Sequence, residues 1–175
     1  GRPSTGKTTL ALNIALRNVV GGVSVLFVTA ECSPESLSLR LLATLSRVSI
    51  TSIMRGTVDD NASVRLAEAA KKFESLPLHL YDLGHDPKFD MALCNIVDHV
   101  RSNSVSLVVI DCLQLLSDSP FFGVVSELSL PKLMTLASWI ANNTATSILM
   151  LSHVTMAPSR RADRVPLPSD IRGSH

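Results

Sequence analysis

Residues Gly1-Arg2-Pro3-Ser4-Thr5-Gly6-Lys7-Thr8 fit the pattern G-x-x-x-x-G-K-[ST] at every fixed position. A loop of this kind wraps a phosphate with successive backbone N–H groups, which calls for glycine where a Cβ would collide. A helix starting near Lys7 aims the positive end of its dipole at the same anion. Lys7 can reach the β- and γ-phosphates of a nucleoside triphosphate, and the Thr8 hydroxyl is placed to bind Mg2+. The expected nucleotide-binding set is Gly1, Ser4, Thr5, Gly6, Lys7, Thr8 and Thr9.

Binding is not hydrolysis, which also needs an acid to hold the metal and a group to orient water. Asp111 ends the run LVVID, four apolar residues followed by a carboxylate, and a strand end beside the phosphate loop would bring that carboxylate to the metal. The plainer reading of Asp111 is a cap on the next turn. Glu31 follows the apolar run 23–30, at the edge where open α/β sheets place their ligands, and could take a proton from the attacking water. Its rival reading is a solvated loop residue. His153 follows the run 146–152 and could hydrogen-bond a γ-phosphate, or it is simply a satisfied polar residue at a strand end. His79, His85 and His99 have no ligand spacing and read as structural or solvated.

The elements that must position these groups are legible from periodicity. Apolar Leu10, Ala11, Ile14 and Ala15 predict a helix over 7–19, ended by Gly21-Gly22. The run VSVLFVTA (23–30) predicts a buried parallel strand. Ser33-Pro34 is an N-cap and first-turn pair, opening a helix to about 47. Further helices are expected over 59–75, with Val64, Leu66, Ala67, Ala70 and Phe73 as its apolar positions, and over 89–101 and 131–142. Strands are expected over 78–83, 107–111 and 146–152, with loop from 155 onward. Alternation at this spacing implies βαβ units, so the fold class is α/β: one domain with a mostly parallel sheet flanked by helices. Numbering starts on the first loop glycine, with no room for a strand feeding it. A fragment of a larger protein, cut at both ends, is therefore expected.

At 175 residues, 46% hydrophobic and 18% charged, the chain can bury a core and does not read as disordered. A net charge of +1 gives no global pull toward nucleic acid, so such contact needs a local basic patch. Cys32, Cys94 and Cys112 form no C-x-x-C pair. Cys32 and Cys112 end apolar runs, as small buried hydrophobes do, and the usage suits a reducing cytoplasm. No apolar run approaches the roughly 18 residues of a membrane span.

With these residues in place the chain resembles the RecA-like motor domain of DnaB-type replicative DNA helicases, including phage primase-helicases. GRPSTGKTTLALNIA is similar to that family's phosphate loop and first helix, and VLFVTAECSPESLSLRLLA to its next strand, catalytic glutamate and helix. LVVIDCLQLLS is similar to its Walker B strand, and LPSDIRGS to a run near its DNA-facing region. The resemblance implies a P-loop NTPase using ATP and Mg2+, with Lys7 and Thr8 on phosphate and metal and Asp111 on the metal. It implies Glu31 as catalytic base and His153 as γ-phosphate sensor, as in the phage-type branch. It also implies a homo-hexamer around single-stranded DNA, an arginine finger beyond His175, and primase as a further partner, in a bacterial cell or phage-infected host. The chain departs from the family in residues 117–125 (SDSPFFGVV), which are apolar where the family loop is polar or basic.

Arg160, Arg161, Arg164 and Arg172 fall in a loop-like stretch with only Asp163 and Asp170 as acids, which suits sequence-independent contact with a phosphate backbone. Asp170 and Arg172 have the alternative of pairing across a subunit boundary. Trp139 and Tyr81 fall in predicted regular elements and are not expected to stack on bases. Two rivals stand beside the helicase: a recombinase or circadian-type ATPase on the same core, and a non-hydrolysing nucleotide-binding assembly module. Glu31 and Asp111 weigh against the second rival.

Overall fold

The computed structural model describes residues 5–29, 31–83, 92–112, 130–154, 165 and 167–171. In chain order the elements are α1 (Lys7–Val20), β1 (Val25–Thr29), α2 (Pro34–Ser46), α3 (Ile50–Arg55), α4 (Asp60–Glu74) and β2 (Leu78–Asp82). There follow α5 (Ala92–Ser102), β3 (Leu107–Asp111), α6 (Leu130–Thr144), β4 (Ser147–Met150) and a 3-10 turn, Pro168–Asp170.

The four strands form one sheet in the order β2-β1-β3-β4, and every neighbouring pair is parallel. Thr29 lies level with Asp82 on one side and Asp111 on the other, so the strands end in one row at their carboxyl edge. The sequence order reverses between β1 and β3, which opens a crevice between their carboxyl ends where ligands bind in open α/β sheets.

Alternation along the strands divides the core in two. Val25, Phe27 and Val109 face α1 and α2, packing on Ala11, Leu12, Ala15, Leu16, Leu37 and Leu41. Leu26, Val28, Val108 and Ile110 face the other way, onto Ile96 and Val100 of α5. All five residues of β1 are buried, as expected of a central strand covered on both faces.

The predicted helices and strands are all present, with differences that packing explains. The buried stripe of α1 runs through Ala11, Leu12, Ala15, Leu16 and Val19, while Leu10 is 65% exposed, so the sheet-facing side is rotated from the expected one. On α4 the buried positions are Ala62 and Ala69, and Val64 is exposed, because α4 packs on α2 rather than on the sheet. β4 is shorter than its apolar run and half-buried, lying at the edge of the described sheet. Helix α3 is not visible in the periodicity; six residues are too few to register a helical repeat. The stretch expected to be loop from 155 onward includes the 3-10 turn, and Ile171 there bridges antiparallel to Val154.

Candidate functional site

Gly6 sits immediately before α1 with φ +82°, in the left-handed region that glycine adopts without strain. A Cβ added there would meet no described atom within 4 Å, so within the protein itself it is the backbone conformation that calls for glycine at this position. The turn delivers Lys7 and Thr8 as the first residues of α1, at the carboxyl edge of β1 and β3.

Glu31 is set by the end of β1. The fully buried Thr29 hydroxyl donates to the Cys32 carbonyl at 2.9 Å and accepts from the Cys32 N–H at 3.2 Å, closing a tight turn around position 31. Ser33 then caps α2, its hydroxyl accepting from the Ser36 N–H at 3.3 Å, with Pro34 in the first turn as the sequence implied. Asp111 ends β3 and is 2% exposed, and His153 follows β4.

Hydrogen bonds join these groups from separate segments of the chain. Thr8 Oγ1 donates to Asp111 Oδ2 at 2.6 Å. The Lys7 ammonium, which has only donors, contacts His153 Nδ1 at 3.4 Å, and His153 Nε2 lies 2.9 Å from Glu31 Oε1. A neutral imidazole carrying its hydrogen on Nε2 satisfies both contacts at once. Cys112, the residue after Asp111, donates its thiol hydrogen to the same Glu31 oxygen at 3.1 Å.

The electrostatics follow from this geometry. Burial works to raise the Glu31 pKa, but hydrogen bonds from His153 and Cys112, the charge of His153 when its ring is protonated, and the charge of Lys7 outweigh it and leave it lowered. Asp111 is raised, chiefly by burial and further by the Glu31 charge, against the Thr8 hydrogen bond and the Lys7 and His153 charges. Asp111 Oδ1 is buried and has no hydrogen-bond partner among the described residues. An orphaned carboxylate oxygen beside a threonine hydroxyl is the hard-oxygen donor set that a small divalent cation takes, so Thr8 and Asp111 fit such a metal.

A cavity of about 300 Å³ opens on this cluster, lined by Gly6, Lys7, Thr8, Thr9, Glu31, Arg40 and His153. The structure thus brings together Gly6, Lys7, Thr8, Thr9, Glu31, Asp111 and His153. Thr5 is exposed next to them. Gly1, Ser4, Arg160, Arg161, Arg164 and Arg172 lie outside the described residues, as do residues 117–125 and His85. Two site residues went unforeseen. Arg40 is well inside α2, where no spacing signal distinguishes it from a solvated helix arginine. Cys112 was read as core packing, which its burial agrees with, but its thiol also reaches the site. Asp170 is buried and accepts from the Leu167 N–H at 2.6 Å, so its carboxylate is engaged within its own turn.

The family profile described as "DnaB-like helicase C terminal domain" matches residues 1–175. The chain belongs to the DnaB-like helicase C-terminal domain family. Relatives include the replicative DNA helicase DnaB of Buchnera aphidicola, 27% identical over 176 residues, and a probable replicative DNA helicase of Trieres chinensis, 29% identical over 181. In both comparisons the alignment covers 99% of this chain and 38% of the relative's length. A solved structure of a DnaB-like replicative helicase, described with its interactions with primase, superposes with a TM-score of 0.79 at 22% identity, over 99% of this chain and 42% of that one. That likeness bears out the expected RecA-like α/β fold. Membership of this family also separates the chain from the recombinase and circadian-type rival.

Proposed function

We propose that this chain is the ATP-hydrolysing motor domain of a replicative DNA helicase, which in the whole protein works as a homo-hexameric ring moving along single-stranded DNA. The observation that carries the reading is the Thr8–Asp111 hydrogen bond of 2.6 Å, because it joins the phosphate loop to the end of β3 as a metal-dependent nucleotide site requires.

Each residue has a role its geometry supports. Gly6 and the start of α1 present N–H groups and a positive dipole end to phosphate, and Lys7 neutralises charge on the β- and γ-phosphates. Thr8 and Asp111 would hold Mg2+, which would supply positive charge beside the phosphate oxygens. Glu31, kept ionised by its lowered pKa, accepts a proton from the attacking water once that water replaces the hydrogen bond to His153. His153 touches both Lys7 and Glu31, so a γ-phosphate that draws on Lys7 and the imidazole is sensed directly at the base. Arg160, Arg161, Arg164 and Arg172 contact the DNA backbone, and primase is a partner of the assembled protein.

ATPase rate of the full-length protein, with and without single-stranded DNA at two salt concentrations, tests the reading. DNA is expected to stimulate hydrolysis, and the stimulation to fade with salt. Replacing the four arginines by glutamine should flatten the log–log salt dependence of single-strand binding by up to about 2.8, at about 0.7 per phosphate contact. Hydrolysis indifferent to DNA would remove the motor and leave only a nucleotidase.

A further inference from the structure

The side chains of Glu31, Cys112 and His153 each offer one ligand atom, and the three atoms lie within 4.8 Å of one another. They come from three different strand ends, those of β1, β3 and β4, so the sheet and not a local motif brings them together. We propose that carboxylate, thiolate and imidazole here form a binding site for a thiophilic divalent cation of the zinc class, distinct in chemistry from the Thr8–Asp111 pair.

Two of the three ligand–ligand distances are close to those around a tetrahedral ion, and the third, between Cys112 and His153, is within 4.8 Å. Zinc binds sulfur at about 2.3 Å, and nitrogen and oxygen at about 2.0–2.2 Å, which puts tetrahedral edges at roughly 3.3–3.6 Å. The Glu31 oxygen is 2.9 Å from His153 Nε2 and 3.1 Å from Cys112 Sγ, so these two edges need to open by only a few tenths of an ångström. A carboxylate oxygen, a thiolate and an imidazole are three ligand types that zinc accepts together, and they leave the fourth position to water or a phosphate oxygen. A hard cation such as Mg2+ has no use for the thiolate, so the two sites sort their metals by softness. Access is through the cavity that Glu31 and His153 line.

Binding moves protons in a defined way. The Cys112 thiol loses its hydrogen to solvent, and the imidazole carries its hydrogen on Nδ1 so that Nε2 is free to coordinate. That tautomer gives up the Lys7 contact. The bound ion also takes the Glu31 oxygen, so zinc and the attack on water exclude each other. This consequence rests on the hydrolytic role proposed above; the binding site itself does not.

Cobalt(II) is the probe, because tetrahedral thiolate ligation gives it intense visible bands and a thiolate-to-metal charge-transfer band. The full-length protein should show both on titration, and added zinc should abolish them. Cys94→Ser should keep the bands, since Cys94 is exposed on α5 and is not among the three ligands. Cys112→Ser and His153→Ala should weaken binding more than about 100-fold, beyond the loss of an outer-shell partner. No charge-transfer band in the folded protein, or a band that survives in Cys112→Ser, overturns the site. Where that variant does not fold, as read by its thermal transition, survival of the band in His153→Ala overturns it equally. With Mg2+ and ATP present, zinc should inhibit hydrolysis by the unsubstituted protein at a concentration at least about 10-fold lower than it inhibits Cys112→Ser. Equal inhibition of both refutes the coupling to hydrolysis, while the cobalt spectra report on the site independently of any activity.

Discussion

Replacing Thr8 by valine removes one hydroxyl at nearly constant shape and takes away the donor 2.6 Å from Asp111 Oδ2. Because Asp111 is 2% exposed and its other oxygen is already unpartnered among the described residues, the substitution leaves a buried carboxylate less well satisfied. A hydrogen bond to a charged group contributes about 1.5–3 kcal/mol. Thr8 itself is half-buried, so water reaching the gap holds the loss to the lower half of that range, about 1.5–2 kcal/mol. For a chain of this size, at about 2–4 °C per kcal/mol, the thermal midpoint should fall by about 3–8 °C.

The effect has a pH signature. The Thr8 bond lowers the Asp111 pKa, against burial that raises it, so the variant's folded-state pKa rises further above the unfolded value. Because the unfolded value is common to both proteins, the variant's stability deficit is present where the folded carboxylate is ionised and fades as pH falls through the two raised folded-state pKa values. Thermal midpoints of the unsubstituted chain, Thr8→Val, Asp111→Ala and the double variant, without metal or nucleotide, form the cycle to measure. A coupling of about 1–2 kcal/mol near neutral pH, shrinking in acid, is expected. A coupling near zero at neutral pH would refute the claim that these two side chains form one unit.

Glu31→Gln should bind a fluorescent ATP analogue as well as the unsubstituted protein while hydrolysis drops by about 100- to 10,000-fold. Single-turnover assays check this, and unchanged turnover would remove Glu31 from the role of base. His99 offers a test of the fold: it packs edge-on to His79 with ring centroids 4.7 Å apart, and burial, then the His79 charge, lowers its pKa. The unfolded chain therefore takes up protons first as pH falls through the ordinary imidazole value of about 6.5, and stability should drop across that window. His99→Phe should lose less stability than the unsubstituted chain between about pH 7.5 and pH 5.5. An equal loss in both would show that other groups carry the acid sensitivity.

Much of the site was legible in one dimension because it is built from strand ends and one contiguous loop. The G-x-x-x-x-G-K-[ST] pattern specifies its local conformation through glycine's freedom at Gly6 and the helix that Lys7 begins. Short apolar runs ending in an acid, or followed by Glu31 or His153, place those side chains at the carboxyl edge as soon as the strands are parallel. Ser33-Pro34 announced α2 for the same local reason, a side chain satisfying a helix-end N–H. What the residue order could not carry was anything that depends on which face of a helix meets the sheet. The buried stripe of α1 is a compromise among several apolar options, and contact with Val25, Phe27 and Val109 selects Leu12 and Leu16 over Leu10.

The partnerships across the site belong to tertiary structure for the same reason. Thr8 and Asp111 are 103 positions apart, and Glu31 and His153 are 122 apart. No local rule says that one carboxylate accepts from a threonine while the other accepts from a histidine and a cysteine. Sequence alone singled out most of the residues now found together, though not Arg40 or the thiol of Cys112. The parallel register of β1, β3 and β4 decided which of them would touch, and brought the thiol of Cys112, a small apolar residue by its neighbours, onto the Glu31 carboxylate.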